Sequence, residues 1–137
     1  MEKRLSADAR LHTCPYCGTT VSPYYYGHSD YPYRADYGPR MMCLRCDAHV
    51  GCHNGDPSKP MGTVANATDR SWRRIIHAKI DPLWKRETGP AKRKARKRMY
   101  ARLSDALGRE AHASWENGAG LLELVDAARL VVAGWER

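Results

Sequence analysis

The sequence contains no phenylalanine among its 137 residues. The large apolar anchors of any core must therefore come from Trp72, Trp84, Trp115 and Trp135, from the tyrosines and from the aliphatic residues. Long apolar runs are missing too: nothing approaches the roughly 18 uninterrupted residues of a membrane-spanning helix, which argues against a membrane protein. The opening MEKRLSADARLHTC carries basic residues with no apolar segment behind them, so it lacks the pattern of a secretory signal. The expected compartment is a reducing cytoplasm, where paired cysteines read as metal ligands.

Two such pairs are present: Cys14-Pro15-Tyr16-Cys17, followed by Gly18, and Cys43-Leu44-Arg45-Cys46, with 25 residues between them. A two-residue gap lets a tight turn aim both sulfurs at one ion, and four thiolates complete the tetrahedral shell of a structural zinc. The alternative, two disulfides or unrelated buried thiols, fits a reducing compartment poorly. The expected cofactor is one structural Zn2+ on Cys14, Cys17, Cys43 and Cys46. Pro15 stiffens the first turn and Gly18 permits the backbone angles of its exit. Thr19 to Tyr26 reads as a strand and Arg40 to Leu44 as its return, the order of a zinc ribbon. His49, Cys52 and His53 follow the second pair, but four cysteines leave the ion no vacancy, so Cys52 reads as a small buried thiol.

The net charge of +8 is concentrated rather than spread. Lys85 to Arg102 holds nine basic residues against Glu87 alone, a local charge of +8, and the rest of the chain is neutral. From Ala91 to Leu107 an apolar residue recurs every fourth position, at Ala91, Ala95, Met99, Leu103 and Leu107, which predicts an amphipathic helix. Its other face carries Lys92, Arg93, Arg96, Lys97 and Arg98, and Gly108 reads as its C-cap. Helical spacing is also expected from Thr63 to Lys79. Asp81-Pro82 reads as an N-cap and first helical residue where the chain restarts. A last helix is expected over about 120 to 133, with Trp135 beyond it.

Six of the eight tyrosines, Tyr24, Tyr25, Tyr26, Tyr31, Tyr33 and Tyr37, lie between the cysteine pairs. They can form a stacking surface for unpaired bases, with Arg34 and Arg40 beside it for phosphate. The simpler reading is that they cover the hairpin of a domain without phenylalanine, with their hydroxyls in water.

The ordered set Cys14-Pro15-Tyr16-Cys17-Gly18, Met42-Cys43-Leu44-Arg45-Cys46-Asp47-Ala48-His49-Val50-Gly51-Cys52-His53, Pro60-Met61-Gly62-Thr63-Val64-Ala65-Asn66, Arg74, His77, Asp81-Pro82-Leu83-Trp84 and Tyr100-Ala101-Arg102-Leu103 resembles a known family. It is the zinc-finger-containing domain family of unknown function found in bacteriophages and mobile elements. The resemblance runs from about residue 12 to 115. It implies a four-cysteine metal site and a phage or prophage origin, and it supplies no activity.

The expected architecture is a single small α+β domain, 1–137, with a zinc-ribbon hairpin packed with three or four helices. Its parts are a ribbon over 13–53, a helical segment over 63–86, a basic amphipathic helix over 90–108 and a C-terminal helix over 119–135. The expected function is a non-catalytic nucleic-acid-binding module, on DNA or RNA without sequence specificity, because phosphate neutralisation needs local positive charge and no recognition-helix signature is present. A second reading is a small phage effector whose basic helix meets an acidic surface on a host protein. A third is a metal-dependent nuclease using His53, His77 and Asp81, with Arg73 or Arg74 as phosphate clamp. In that reading Pro82 disfavours the continuous helix that would put His77 and Asp81 on one face.

Overall fold

The computed structural model describes residues 7–135. In order these form a helix α1 (Ala7–Leu11), strands β1 (Ser22–Tyr24), β2 (Arg40–Cys43) and β3 (Ala48–Gly51), and helices α2 (Ala67–Lys85), α3 (Gly89–Leu107) and α4 (Ala119–Ala133). Single turns of 3-10 helix lie at His53–Gly55 and Ala113–Trp115. The α+β class expected from the sequence is the one observed. The chain divides into two compact units between Thr68 and Asp69.

The first unit is built on a three-stranded antiparallel sheet in the order β1-β2-β3. Ser22 pairs with Met42 and Tyr24 with Arg40 across β1 and β2, while Arg40 pairs with Gly51 and Cys43 with Ala48 across β2 and β3. The hairpin predicted from the sequence is thus β1 and β2, shorter than the apolar pattern of Thr19 to Tyr26 suggested. A third strand, Ala48–Gly51, follows the second cysteine pair, where the sequence pattern points to no element. It is held on its other side as well: His49 and Ala65 exchange backbone hydrogen bonds of 3.0 and 3.1 Å, and Met61 N donates to Gly51 O at 2.9 Å. That pairing holds Ala65 against β3, with Thr63 and Val64 buried before it, so α2 begins at Ala67 and not near Thr63. The core of this unit gathers Cys14, Val21, Met41, Cys43, Ala48, Val50, Cys52 and Val64.

The second unit is helical. Its core is formed by Ile76, Ile80 and Leu83 from α2, Met99 and Leu103 from α3, Ala111 and Ala113 from the connection, and Leu121, Leu124, Val125 and Val131 from α4, among others. Helix α2 runs without interruption through Asp81 and Pro82 to Lys85. The expected restart at Asp81-Pro82 does not occur, because Ile76, Ile80 and Leu83 continue one buried stripe across the proline. Burying that stripe outweighs the one hydrogen bond that Pro82 cannot donate. Helix α3 starts after Thr88 with Pro90 in its first turn and ends on Gly108, whose φ of +82° is the left-handed cap expected there. Buried Asp69 accepts from Gly118 N at 3.2 Å and from Asn117 Nδ2 at 3.4 Å, which anchors the start of α4. Beside it, Arg73 Nε and Nη2 both donate to Glu116 O, at 3.2 and 2.9 Å.

Candidate metal centre and basic helix

In the first unit the two cysteine turns are built alike. The residue after each second cysteine has a left-handed backbone, Gly18 with φ +76° and Asp47 with φ +50°. This conformation lets each turn fold back so that its two sulfurs face the same point. The first turn is closed by Gly18 N donating to Cys14 O at 2.9 Å and Cys14 N donating to Thr19 O at 2.8 Å. Tyr16, at its tip, accepts a hydrogen bond from Asn66 N at 3.1 Å through its hydroxyl.

The sulfurs of Cys14, Cys17, Cys43 and Cys46 all lie within 4.8 Å of one another. Those of Cys17 and Cys43 are 3.6 Å apart. A tetrahedral zinc with Zn–S of about 2.3 Å requires sulfur-to-sulfur edges of about 3.8 Å, so the cluster needs only a slight contraction to hold one ion. Cys14 and Cys43 are buried, Cys17 and Cys46 partly so, and none of the five cysteines is in a disulfide. Cys17 lies 3.1 Å from the Thr19 hydroxyl, and hydrogen bonding to Thr19 pulls its thiol down to about 6. Desolvation, reinforced by the neighbouring sulfurs, pushes Cys46 up to about 12, and burial raises Cys14. Four thiols crowded together with opposed proton affinities lack the counter-charge that a divalent cation supplies.

The comparisons with known proteins agree with this geometry. Residues 10–116 match the zinc-finger-containing domain family. The chain belongs to that family. The match takes in all four cysteines, the tyrosine-rich loop, α2 and α3. Neither the curated proteins nor the solved structures yield a match to the chain. Family and cluster together fit one structural zinc ion on Cys14, Cys17, Cys43 and Cys46. Cys52, outside the set, is a buried thiol beside β3, its pKa raised by that burial.

The tyrosines of this zinc-finger-containing domain divide between two roles. Tyr31 is buried; its hydroxyl donates to Gly38 O at 2.7 Å and accepts from Tyr37 N at 3.0 Å, which pins the loop between β1 and β2. Tyr26, Tyr31, Tyr33 and Tyr37 meet edge to face in a row, with centroids 5.3 to 6.3 Å apart. Tyr25, Tyr26 and Tyr37 remain more than half exposed, and Arg34 is exposed beside them. Arg40 is drawn inward instead. Its Nη2 lies 2.7 Å from Nδ1 of buried His49, and its guanidinium lies 5.1 Å from the Tyr33 centroid. An arginine only donates, so His49 accepts at Nδ1 and carries its proton on Nε2.

In the second unit, α3 carries Lys92, Arg93, Lys94, Arg96, Lys97 and Arg98 exposed around a buried stripe of Ala95, Met99 and Leu103. Among the described residues no carboxylate pairs with any of these cations or with Arg102, whereas Arg109 is gripped by Glu116 and Glu123 at 3.2 and 2.7 Å. Several of the cations are placed by aromatic rings. Lys92 and Arg96 sit 5.8 and 5.4 Å from the Trp84 centroid, with Lys85 at 5.5 Å. Arg96 is also 5.0 Å from the Tyr100 ring. Arg98 and Arg102 lie 4.5 and 5.0 Å from Trp135. Sequence reasoning missed this, since no periodicity links Trp84 or Trp135 to residues of α3.

Of the three nuclease candidates, His53 is exposed in the first unit, in the turn after β3. His77 and Asp81 belong to the second, where the unbroken α2 brings His77 Nδ1 to 3.5 Å from Asp81 Oδ2. Lys85 Nζ, one turn further on, lies 3.7 Å from the same oxygen. Among the described residues no helix is long and apolar enough to cross a membrane.

Proposed function

We propose that this zinc-finger-containing domain protein is a non-catalytic nucleic-acid-binding module of phage type, in which zinc stabilises the first unit and α3 supplies the phosphate contacts. The observation that carries the reading is the set of seven cations on α3 without a carboxylate partner among the described residues. On a face that serves only solubility, charges of both signs normally intermix. A guanidinium stacked on an aromatic ring keeps its in-plane N–H donors for phosphate and has already given up part of its rotamer freedom. The exposed tyrosines and Arg34 of the first unit offer stacking to unpaired bases. Asp81 is engaged by both His77 and Lys85, which favours a structural role for the His77–Asp81 pair over a catalytic one.

The test is an anisotropy titration of zinc-loaded protein with single- and double-stranded DNA and RNA over a range of salt, with magnesium present so that cleavage would also be seen. Neutralising about four duplex phosphates gives a slope of log K against log salt near −3.6. Charge reversal of Arg93, Lys97 and Arg98 to Glu should flatten that slope and weaken binding to every sequence alike. Unchanged affinity in that variant would remove α3 from the reading. Absence of binding at low salt would turn the search towards an acidic host protein.

A further inference from the structure

The cations of α3 are not equivalent, and the Trp84 cluster differs from the rest in charge and in hydrogen-bonding inventory. Lys85, Lys92 and Arg96 lie 5.4 to 5.8 Å from one ring centroid, so each is within one screening length, about 8 Å at physiological salt, of a common point. Among the described residues Asp81 is the only carboxylate paired with any of them, through Lys85. The cluster thus holds a net charge of about +2. Its polar groups are nearly all donors: two ammonium groups, a guanidinium, and an indole N–H of Trp84 that is buried with no acceptor among the described residues. Burying such a donor unpaired is costly, and bringing three like charges together adds to the cost. The second cost falls if a ligand with two negative charges and several acceptor oxygens enters. The second aromatic cluster lacks these features: it has two cations, and Arg102 Nη1 already donates to Gly134 O at 3.5 Å.

Resting on the nucleic-acid reading above, we propose that the Trp84 cluster seats the terminal phosphomonoester of a nucleic-acid strand. An internal phosphodiester carries one negative charge, whereas a monoester carries about 1.5 to 2 at neutral pH and presents three acceptor oxygens. The monoester matches the cluster in charge and in acceptors. Lys94 and Lys97, on the outer face of α3, meet the backbone of the same strand.

The experiment compares three single-stranded oligonucleotides of one sequence, with a 5′-phosphate, a 3′-phosphate or hydroxyl at both ends, labelled internally and titrated with the full zinc-loaded chain. One phosphorylated strand should bind about tenfold more tightly than the hydroxyl strand, the effect of one added charge-assisted contact. Which end gains identifies the terminus. The ratio should collapse towards one in Arg96→Gln and in Lys92→Gln. Lys97→Gln should weaken all three strands equally and preserve it. Equal affinity for all three strands overturns the terminal-phosphate site while leaving backbone binding intact. A ratio that survives Arg96→Gln overturns its location. If no strand binds, inorganic phosphate is titrated while the Trp84 indole N–H resonance, assigned with Trp84→Phe, is followed. A saturable shift abolished by Arg96→Gln retains an anion seat without the nucleic acid and so overturns the strand-end proposal, and no shift overturns the seat as well.

Discussion

Removing zinc should unfold the first unit and spare the second. The two cores share no residue: one draws on positions from Cys14 to Val64, the other on positions from Ile76 to Val131. In the first core the larger aliphatic side chains are Val21, Met41, Val50 and Val64. At about 1.5 to 3 kcal/mol for each buried side chain, these four contribute about 6 to 12 kcal/mol. A four-ligand structural zinc contributes about 10 to 16 kcal/mol at neutral pH, as much as or more than the aliphatic core. Without the ion, Cys14 and Cys43 also remain as buried thiols next to two others, and no disulfide ties the first cysteine turn to the second. The perturbation is chelation, with release of one equivalent of zinc confirmed by a chromogenic indicator. The readout is hydrogen exchange by peptide, together with far-ultraviolet circular dichroism. Peptides across β2 and β3 should lose their protection, while those across Ile76 to Leu83, Met99 to Leu103 and Leu121 to Val131 keep theirs and most of the helical signal persists. Cys43→Ser should reproduce the pattern without chelator. If β2 and β3 remain protected after zinc is shown to be gone, the metal is not what holds this unit. If the helical peptides are lost with them, the second core does not stand alone.

Three further outcomes follow from particular contacts. Thr19→Val removes the hydroxyl 3.1 Å from Cys17 Sγ, and the dissociation constant for zinc, measured by competition with a chelator of known affinity, should rise by roughly tenfold. An unchanged constant would mean the hydroxyl does not support the ligand. Zinc binds thiolates, and Cys14 and Cys46 are held above the ordinary thiol value of 9.0, so near pH 7 both carry protons that the metal must displace. Affinity should therefore fall by at least about a hundredfold for each unit of acidification below pH 7, and a flatter dependence in the same titration would contradict that proton count. Asp69→Ala leaves Gly118 N and Asn117 Nδ2 without their acceptor and should cost the helical unit about 1 to 3 kcal/mol in denaturant unfolding; an unshifted midpoint would show that solvent replaces the carboxylate.

The metal site was legible because its information is local. Each pair of cysteines needs only a two-residue turn, and Gly18 announces one of the two left-handed exits; the other, at Asp47, has no such mark. Helices α3 and α4 were legible because their apolar periods are long, and α3 ends in a recognisable cap at Gly108. The failures share one physical origin, which is tertiary burial overriding local preference. Pro82 is a sound stop signal in isolation, yet α2 passes through it because Ile80 and Leu83 are needed on the same side of the core. Ala48–Gly51 carries no strand signal of its own, and becomes a strand because Met41 and Met42 stand opposite Val50 and His49. The Thr63-Val64-Ala65 run has helical spacing, and stays outside the helix because β3 takes Ala65 as a backbone partner.

The same distinction separates what the sequence says about charge from what it leaves out. Counting residues locates the positive field on α3, and the amphipathic period says which cations face outward. Neither says that Lys92 and Arg96 gather on Trp84 with Lys85 from α2, or that Arg98 and Arg102 gather on Trp135, because these meetings are set by how α2 and the end of α4 approach α3. The consequence for binding is specific. A solvated lysine such as Lys94 or Lys97 contributes to the salt dependence and little else, so its loss should lower affinity for every polyanion in proportion to charge. A stacked arginine is fixed in place, so Arg96→Lys, which keeps the charge and loses the planar fork, should leave the salt slope unchanged while lowering affinity. If Arg96→Lys and Lys97→Arg prove equally silent, α3 acts as a diffuse positive surface and the aromatic placement of its cations is packing alone.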